Sequence, residues 1–161
     1  MSFVITSSAF VHEEEMPAQY TCEGLDRSPP LSWSGVPAEA KSLALVVDDP
    51  DAPDPVVPLM TYVHWVLYNL PVTCTGLKEG VSSLELPLGT EQGINDWQKF
   101  GYGGPCPPRG RHRYFFKLYA LDILLPKIPH PTKQELEKAM AGHVIFKTEM
   151  IGTYQKKLDK R

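Results

Sequence analysis

The chain has 161 residues, of which 42% are hydrophobic and 22% charged, with a formal net charge of −3 at pH 7. That length is most simply one domain, 1–161, with a core of its own. An acidic balance without a basic run gives no electrostatic case for nucleic acid, and no apolar run approaches the roughly 20 residues of a spanning helix, so an integral membrane protein is not expected.

Sixteen prolines, about twice the usual share of roughly 5%, point to a mainly β chain of short strands and long connections. Phe3 and Ile5 alternate with polar neighbours as a first strand, and no leader-like basic and apolar segments precede them. The three cysteines, Cys22, Cys74 and Cys106, are odd in number and widely spaced. A disulfide framework or zinc ribbon is not expected from them, and a reducing, cytoplasmic setting is the default.

His12 to Glu15 reads as a solvated loop, and Asp26-Arg27-Ser28 as a turn. Pro29-Pro30 forces an extended entry to Leu31-Ser32-Trp33, whose indole should be buried with its N–H partnered. Ser42 to Val47 is a continuous apolar run, expected as a central strand buried on both faces and ending at Asp48. The segment Asp48-Asp49-Pro50-Asp51-Ala52-Pro53-Asp54-Pro55 then reads as a loop that clusters carboxylates. A second strand, Thr61 to Leu70, places Val63, Trp65 and Leu67 on one face and Tyr62, His64, Val66 and Tyr68 on the other. Paired antiparallel with the first, it would bring His64 towards Asp49 and Asp51.

Ser82 to Leu86 suggests a short edge strand. Gly89 to Gly110 has no periodicity, but Trp97, Phe100 and Tyr102 mark it as an ordered loop. His112 to Leu121 alternates, with His112, Tyr114, Phe116, Leu118 and Ala120 on a buried face. Thr132 and Glu135 have capping-box spacing for a helix through Leu136, Ala139 and Met140, stopped by Gly142. Val144 to Tyr154 fits a second short helix or a last strand, and the basic tail reads as a frayed end.

The residues that carry chemistry are Asp49, Asp51, His64, His112 and Tyr114, with the Gly104-Pro105 backbone. Four readings are open. Asp and His can ligate a metal, but their spacing matches no established ligand motif. Cys106 with a histidine could form a hydrolase, but no helix N-terminus stands behind it. Both histidines could be satisfied core residues. Two imidazoles, a phenol and backbone N–H groups could instead receive a phosphate or carboxylate, with the acidic pair facing a cationic group of the same ligand.

These boxes carry a resemblance. Tyr20-Thr21-Cys22-Glu23-Gly24, Ser28-Pro29-Pro30-Leu31-Ser32-Trp33, Asp49-Pro50-Asp51-Ala52-Pro53, Val63-His64-Trp65, Gly104-Pro105-Cys106-Pro107-Pro108 and His112-Arg113-Tyr114 resemble the phosphatidylethanolamine-binding protein family, which includes the Raf kinase inhibitor protein. Gly142-His143 and Ile151-Gly152-Thr153-Tyr154 resemble its short prokaryotic branch. Asp26 stands where the family pattern suggests Asn, and Cys106 replaces the second proline of the vertebrate-type pocket.

The resemblance implies two antiparallel sheets packed as a sandwich with short peripheral helices. It also implies a shallow pocket for phosphate or phosphoethanolamine-type headgroups, lined by Asp49, Asp51, His64, Gly104, Pro105, His112 and Tyr114. The expected function is non-enzymatic binding, without cofactor or metal, in a protein that modulates a kinase or peptidase partner and is compatible with a homodimer. The alternative is an uncharacterised small hydrolase or transferase using the same pocket.

Overall fold

A computed structural model describes residues 2–159. Among the described residues, eight strands form two antiparallel sheets. The smaller sheet has three strands in the order β1 (Val4–Thr6), β2 (Leu31–Ser34), β5 (Gly76–Leu77). The larger runs β6 (Glu91–Gln92), β4 (Val57–Leu70), β3 (Ser42–Asp54), β7 (His112–Leu121), β8 (Val144–Tyr154). A single helix among the described residues, α1 (Lys133–Met140), packs Leu136 and Met140 onto the outer face of the larger sheet.

The main core lies between the sheets. Ile5, Leu31, Trp33 and Leu77 from the smaller sheet meet Leu43, Leu45, Val47, Phe116 and Leu118 from the larger. The Trp33 Nε1–H donates to the Cys74 carbonyl at 2.7 Å, which lets the indole be buried without an orphaned donor. On the opposite face Ala44, Val46, Val66 and Tyr68 pack under α1. Strand β3 is therefore buried on both sides, as its unbroken apolar run predicts.

The acidic, proline-rich stretch corrects the expected loop. Strand β3 runs straight through it to Asp54, and β4 starts four residues earlier than its periodicity suggests, leaving Pro55-Val56 as the turn. Proline lacks an N–H, so a regular ladder cannot hold it. Register shifts between Asp49 and Ala52 and between Ala52 and Pro53 absorb Pro50 and Pro53 as irregularities. A further shift pairs Val47 with Trp65 but Asp48 with Val63, leaving His64 as the extra residue of a bulge. The strict alternation read for β4 breaks there. Trp65 joins the inter-sheet core while Val63 packs on the helix side, and the ring of His64 meets that of Tyr114.

Other elements settle open readings. Ser82–Leu86 is no strand: Ser83–Glu85 is a turn of 3-10 helix, with Ser82 and Glu85 forming a capping box. Thr132 caps α1 with its Oγ1 accepting from the Glu135 N–H at 3.1 Å, and Gly142 follows at φ +81°. The stretch that fitted helix or strand is strand β8. The last residues of the basic tail, 160–161, lie outside the described residues.

Candidate functional site

Four segments converge at one end of the larger sheet. Strand β3 brings Asp49, β4 brings Tyr62 and His64, β7 brings His112 and Tyr114, and the 103–108 strap closes the side. Together they bound a cleft of about 360 Å³.

His64 is held from two directions. Its backbone carbonyl accepts from the Gly103 N–H at 3.0 Å, and its Nδ1 lies 2.7 Å from the Gly103 carbonyl oxygen. A carbonyl can only accept, so the ring proton sits on Nδ1 and Nε2 has no partner among the described residues. Burial depresses the His64 pKa, against the opposing pull of the Gly103 carbonyl and the Asp49 charge, so the ring is neutral at pH 7.

His112 is its electrostatic opposite. Nδ1 lies 2.6 Å from Asp49 Oδ2, and Nε2 lies 2.8 Å from the Arg109 carbonyl. Both ring nitrogens face acceptors, which only the imidazolium satisfies. Burial pulls the His112 pKa down, but the Asp49 hydrogen bond and charge, with the Arg109 carbonyl, outweigh it and leave it raised. The other Asp49 oxygen accepts from the Asp51 N–H at 2.7 Å. Asp49 and His112 thus form a buried, fully hydrogen-bonded ion pair with no net charge.

Tyr114 is 1% exposed, and its Oη has no hydrogen-bond partner among the described residues. Burial and the nearby Asp49 charge raise its pKa, so the phenol keeps its proton. Its ring meets His64 edge-on, with centroids 5.2 Å apart. A buried hydroxyl left unsatisfied beside a cleft is costly, and a ligand would relieve that cost.

Asp49, His64, His112 and Tyr114, all singled out from the sequence, are therefore brought together. Asp51 is buried but does not line the cleft. Its carboxylate accepts from the Arg113 N–H at 2.9 Å, from Nε at 3.0 Å and from Nη2 at 2.9 Å. Burial disfavours its ionisation, yet the Arg113 bonds prevail and hold its carboxyl below the ordinary range. Gly104 and Pro105 stand one step back, as struts of the strap. The Gly104 N–H donates to Asp26 Oδ1 at 2.9 Å, and the Pro105 carbonyl accepts from the Cys22 N–H at 3.0 Å. Asp26, in place of the expected Asn, sits at φ +59° and serves as that acceptor.

The cysteine reading needs correction. Cys22 and Cys106 form a disulfide across 84 residues of sequence, with Cα atoms 5.3 Å apart, and Cys106 lines the cleft. An odd count and wide spacing concealed a pair that only the fold brings together. With its sulfur so bonded, Cys106 has no thiolate, which removes the Cys–His hydrolase reading. Cys74 is free.

Sequence reasoning missed much of the apolar wall: Ala52, Pro53, Met60, Pro107 and Pro108. Tyr62 and Trp97 also line it, their rings in edge contact with centroids 4.9 Å apart. Tyr62 shared a face with His64 and was legible. Trp97 marked order in its loop, but nothing local pointed it at the cleft. Among the described residues, no group of three or more His, Cys, Asp or Glu is placed to hold a metal ion. None of their helices is long and apolar enough to cross a membrane.

Comparison with known proteins adds a consistent set of relatives. A family model described as "Phosphatidylethanolamine-binding protein" matches residues 6–155. A UPF0098 protein of Methanothermobacter thermautotrophicus is 50% identical over 153 residues, covering 94% of this chain and 98% of that one. The crystal structure of a phosphatidylethanolamine-binding protein homolog from Chlamydia trachomatis superposes with a TM-score of 0.87 at 43% identity, covering 96% of this chain and 98% of the other. YbcL of E. coli, described as a member of the mammalian family of that name, also has a TM-score of 0.87. It is 33% identical, with 98% of this chain and 100% of YbcL covered.

Proposed function

The chain belongs to the phosphatidylethanolamine-binding protein family, and from that premise we propose that it is a non-enzymatic binding protein whose cleft receives phosphate or phosphoethanolamine-type headgroups. The observation that carries the reading is the buried Tyr114 hydroxyl, without a hydrogen-bond partner among the described residues in a side chain that lines the cleft. Beside it, His64 Nε2 has no hydrogen-bond partner among the described residues, while Asp49 and His112 satisfy each other. A polar end with two unfilled hydrogen-bonding positions, under a wall of aromatic and proline side chains, suits a small polar head on a less polar body. Among the described residues the cleft holds no uncompensated cation, so affinity for phosphate-type ligands should be weak, about 4–7 kcal/mol or millimolar to tens of micromolar.

Modulation of a kinase or peptidase partner, a homodimer and a cytoplasmic location belong to the same proposal. The location loses one support, since the Cys22–Cys106 bond removes the argument from unpaired cysteines. Alkylating free thiols in cells at harvest and counting those blocked tests it: a cytoplasmic, reduced protein would show three modified cysteines.

A ligand-observed NMR screen of phosphoethanolamine, glycerophosphoethanolamine and inorganic phosphate against wild type and Tyr114→Phe tests the function itself. The reading expects binding to the wild type and clear weakening in the variant. Indifference of the wild type to every fragment would refute it.

A further inference from the structure

The two unfilled positions in the cleft are not chemically alike. Tyr114 keeps its phenolic proton, so its Oη can donate to a ligand oxygen. His64 has its only ring proton committed to the Gly103 carbonyl at 2.7 Å, so its Nε2 offers a lone pair. The rings are edge to face with centroids 5.2 Å apart, and both side chains line the same cleft. The charged groups nearby are already engaged. Asp49 is bonded by His112 and the Asp51 N–H, and Asp51 by Arg113. Around His64 stand the carboxylates of Asp49, Asp48 and Asp26 and the rings of Tyr62, Trp97 and Tyr114, and among the described residues no lysine or arginine lines the cleft.

We propose that this donor–acceptor pair selects an oxyacid group that still carries a proton, such as inorganic phosphate or the monoanion of a phosphate monoester, and rejects oxyanions that carry none. The P–OH donates to His64 Nε2 while a neighbouring phosphate oxygen accepts from the Tyr114 O–H. A proton-less anion of the same shape sets an oxygen lone pair against the Nε2 lone pair. It gains one hydrogen bond where phosphate gains two, and covers the Nε2 lone pair without filling it. The inference rests on the headgroup reading and narrows it to phosphate and phosphomonoester heads: a diester such as glycerophosphoethanolamine carries no acidic proton and falls with dimethyl phosphate.

Inorganic phosphate and sulfate supply the test, since both ionic forms of phosphate present at pH 7 carry a proton and sulfate carries none. Dimethyl phosphate, a monoanion without an acidic proton, separates the effect of the proton from that of total charge. Calorimetric or ligand-observed NMR titration of the wild type should give sulfate and dimethyl phosphate binding about tenfold or more weaker than phosphate. Tyr114→Phe should weaken phosphate. His64→Gln, which can offer an N–H near the position of Nε2, should bring sulfate and phosphate close together.

Equal or tighter sulfate binding by the wild type would overturn the inference while leaving the headgroup reading in place. Phosphate binding unchanged in Tyr114→Phe would put the anion elsewhere and overturn it as well. Failure of the wild type to bind phosphate or any headgroup fragment would overturn both.

Discussion

Removing the Cys22–Cys106 bond, by the double variant Cys22→Ala/Cys106→Ala or by reduction, should cost stability by an amount set mainly by the unfolded chain. The bond closes a loop of 84 residues, for which chain entropy gives about 4–5 kcal/mol. The folded strap keeps other ties. The Cys22 N–H donates to Pro105, the Gly104 N–H to Asp26, and the Tyr102 hydroxyl to the Tyr20 carbonyl at 2.8 Å. The native cleft should therefore survive, and the loss should come from freeing the denatured ensemble. At about 2–4 °C per kcal/mol for a chain of this size, the midpoint should fall by roughly 8–20 °C. Thermal and urea unfolding of wild type and variant, with and without dithiothreitol, reads this directly. The variant should also show a larger urea m-value, since an uncrosslinked chain exposes more surface. Coincident midpoints for oxidised wild type and variant would refute the reasoning, as would reductant sensitivity persisting in the variant.

Three further outcomes are expected. Gly104→Ala should destabilise by about 1–3 kcal/mol or more in urea titration, because its Cβ would lie 2.2 Å from the Tyr20 carbonyl oxygen and 3.1 Å from the Thr21 Cα, backbone that has little room to shift. Asp51→Asn should cost about 1 kcal/mol through its half-exposed partner Arg113, and calorimetry should show phosphoethanolamine affinity changed by less than about twofold, since the carboxylate does not line the cleft. His112 has a raised pKa in the fold, so its contribution is complete below the unfolded value of about 6.5 and is lost as pH rises through the folded value. His64 has a lowered pKa and works the other way: its contribution is complete above about 6.5 and is lost as pH falls through the folded value. Urea unfolding from pH 5 to 9 should show the alkaline decline in wild type and its loss in His112→Gln.

The elements most legible in the sequence were those whose pattern and environment agree. The alternation of β7, the unbroken apolar run of β3 and the Thr132–Glu135 capping box all appear where local physics places them. The misread stretch, Asp48 to Asp54, is one where local turn chemistry competes with long-range pairing. Acidic and proline residues favour a loop, and pairing with β4 holds them in an irregular strand instead. The bulge at His64 had no local signal, yet it decides which way the histidine and Trp65 face. The disulfide, the Gly104–Asp26 contact and the placement of Trp97 all join segments far apart in sequence, so periodicity could not supply them. Asp51 shows the same limit at the site. Its position in the Asp-Pro-Asp box suggested a ligand contact, but the neighbour across the sheet, Arg113, takes both of its oxygens.

The central claim, that the cleft beside Tyr114 receives a phosphate-type head, is tested most directly by following the imidazole nitrogens of the five histidines during a phosphoethanolamine titration by long-range ¹H–¹⁵N NMR. In the free protein His64 should show the Nδ1–H tautomer and His112 the imidazolium, as their partners require. On titration the His64 Nε2 resonance should move saturably, and the movement should be lost or much reduced in Tyr114→Phe. Shifts confined to the histidines away from the cleft, His12, His130 and His143, with His64 unmoved, would contradict the account.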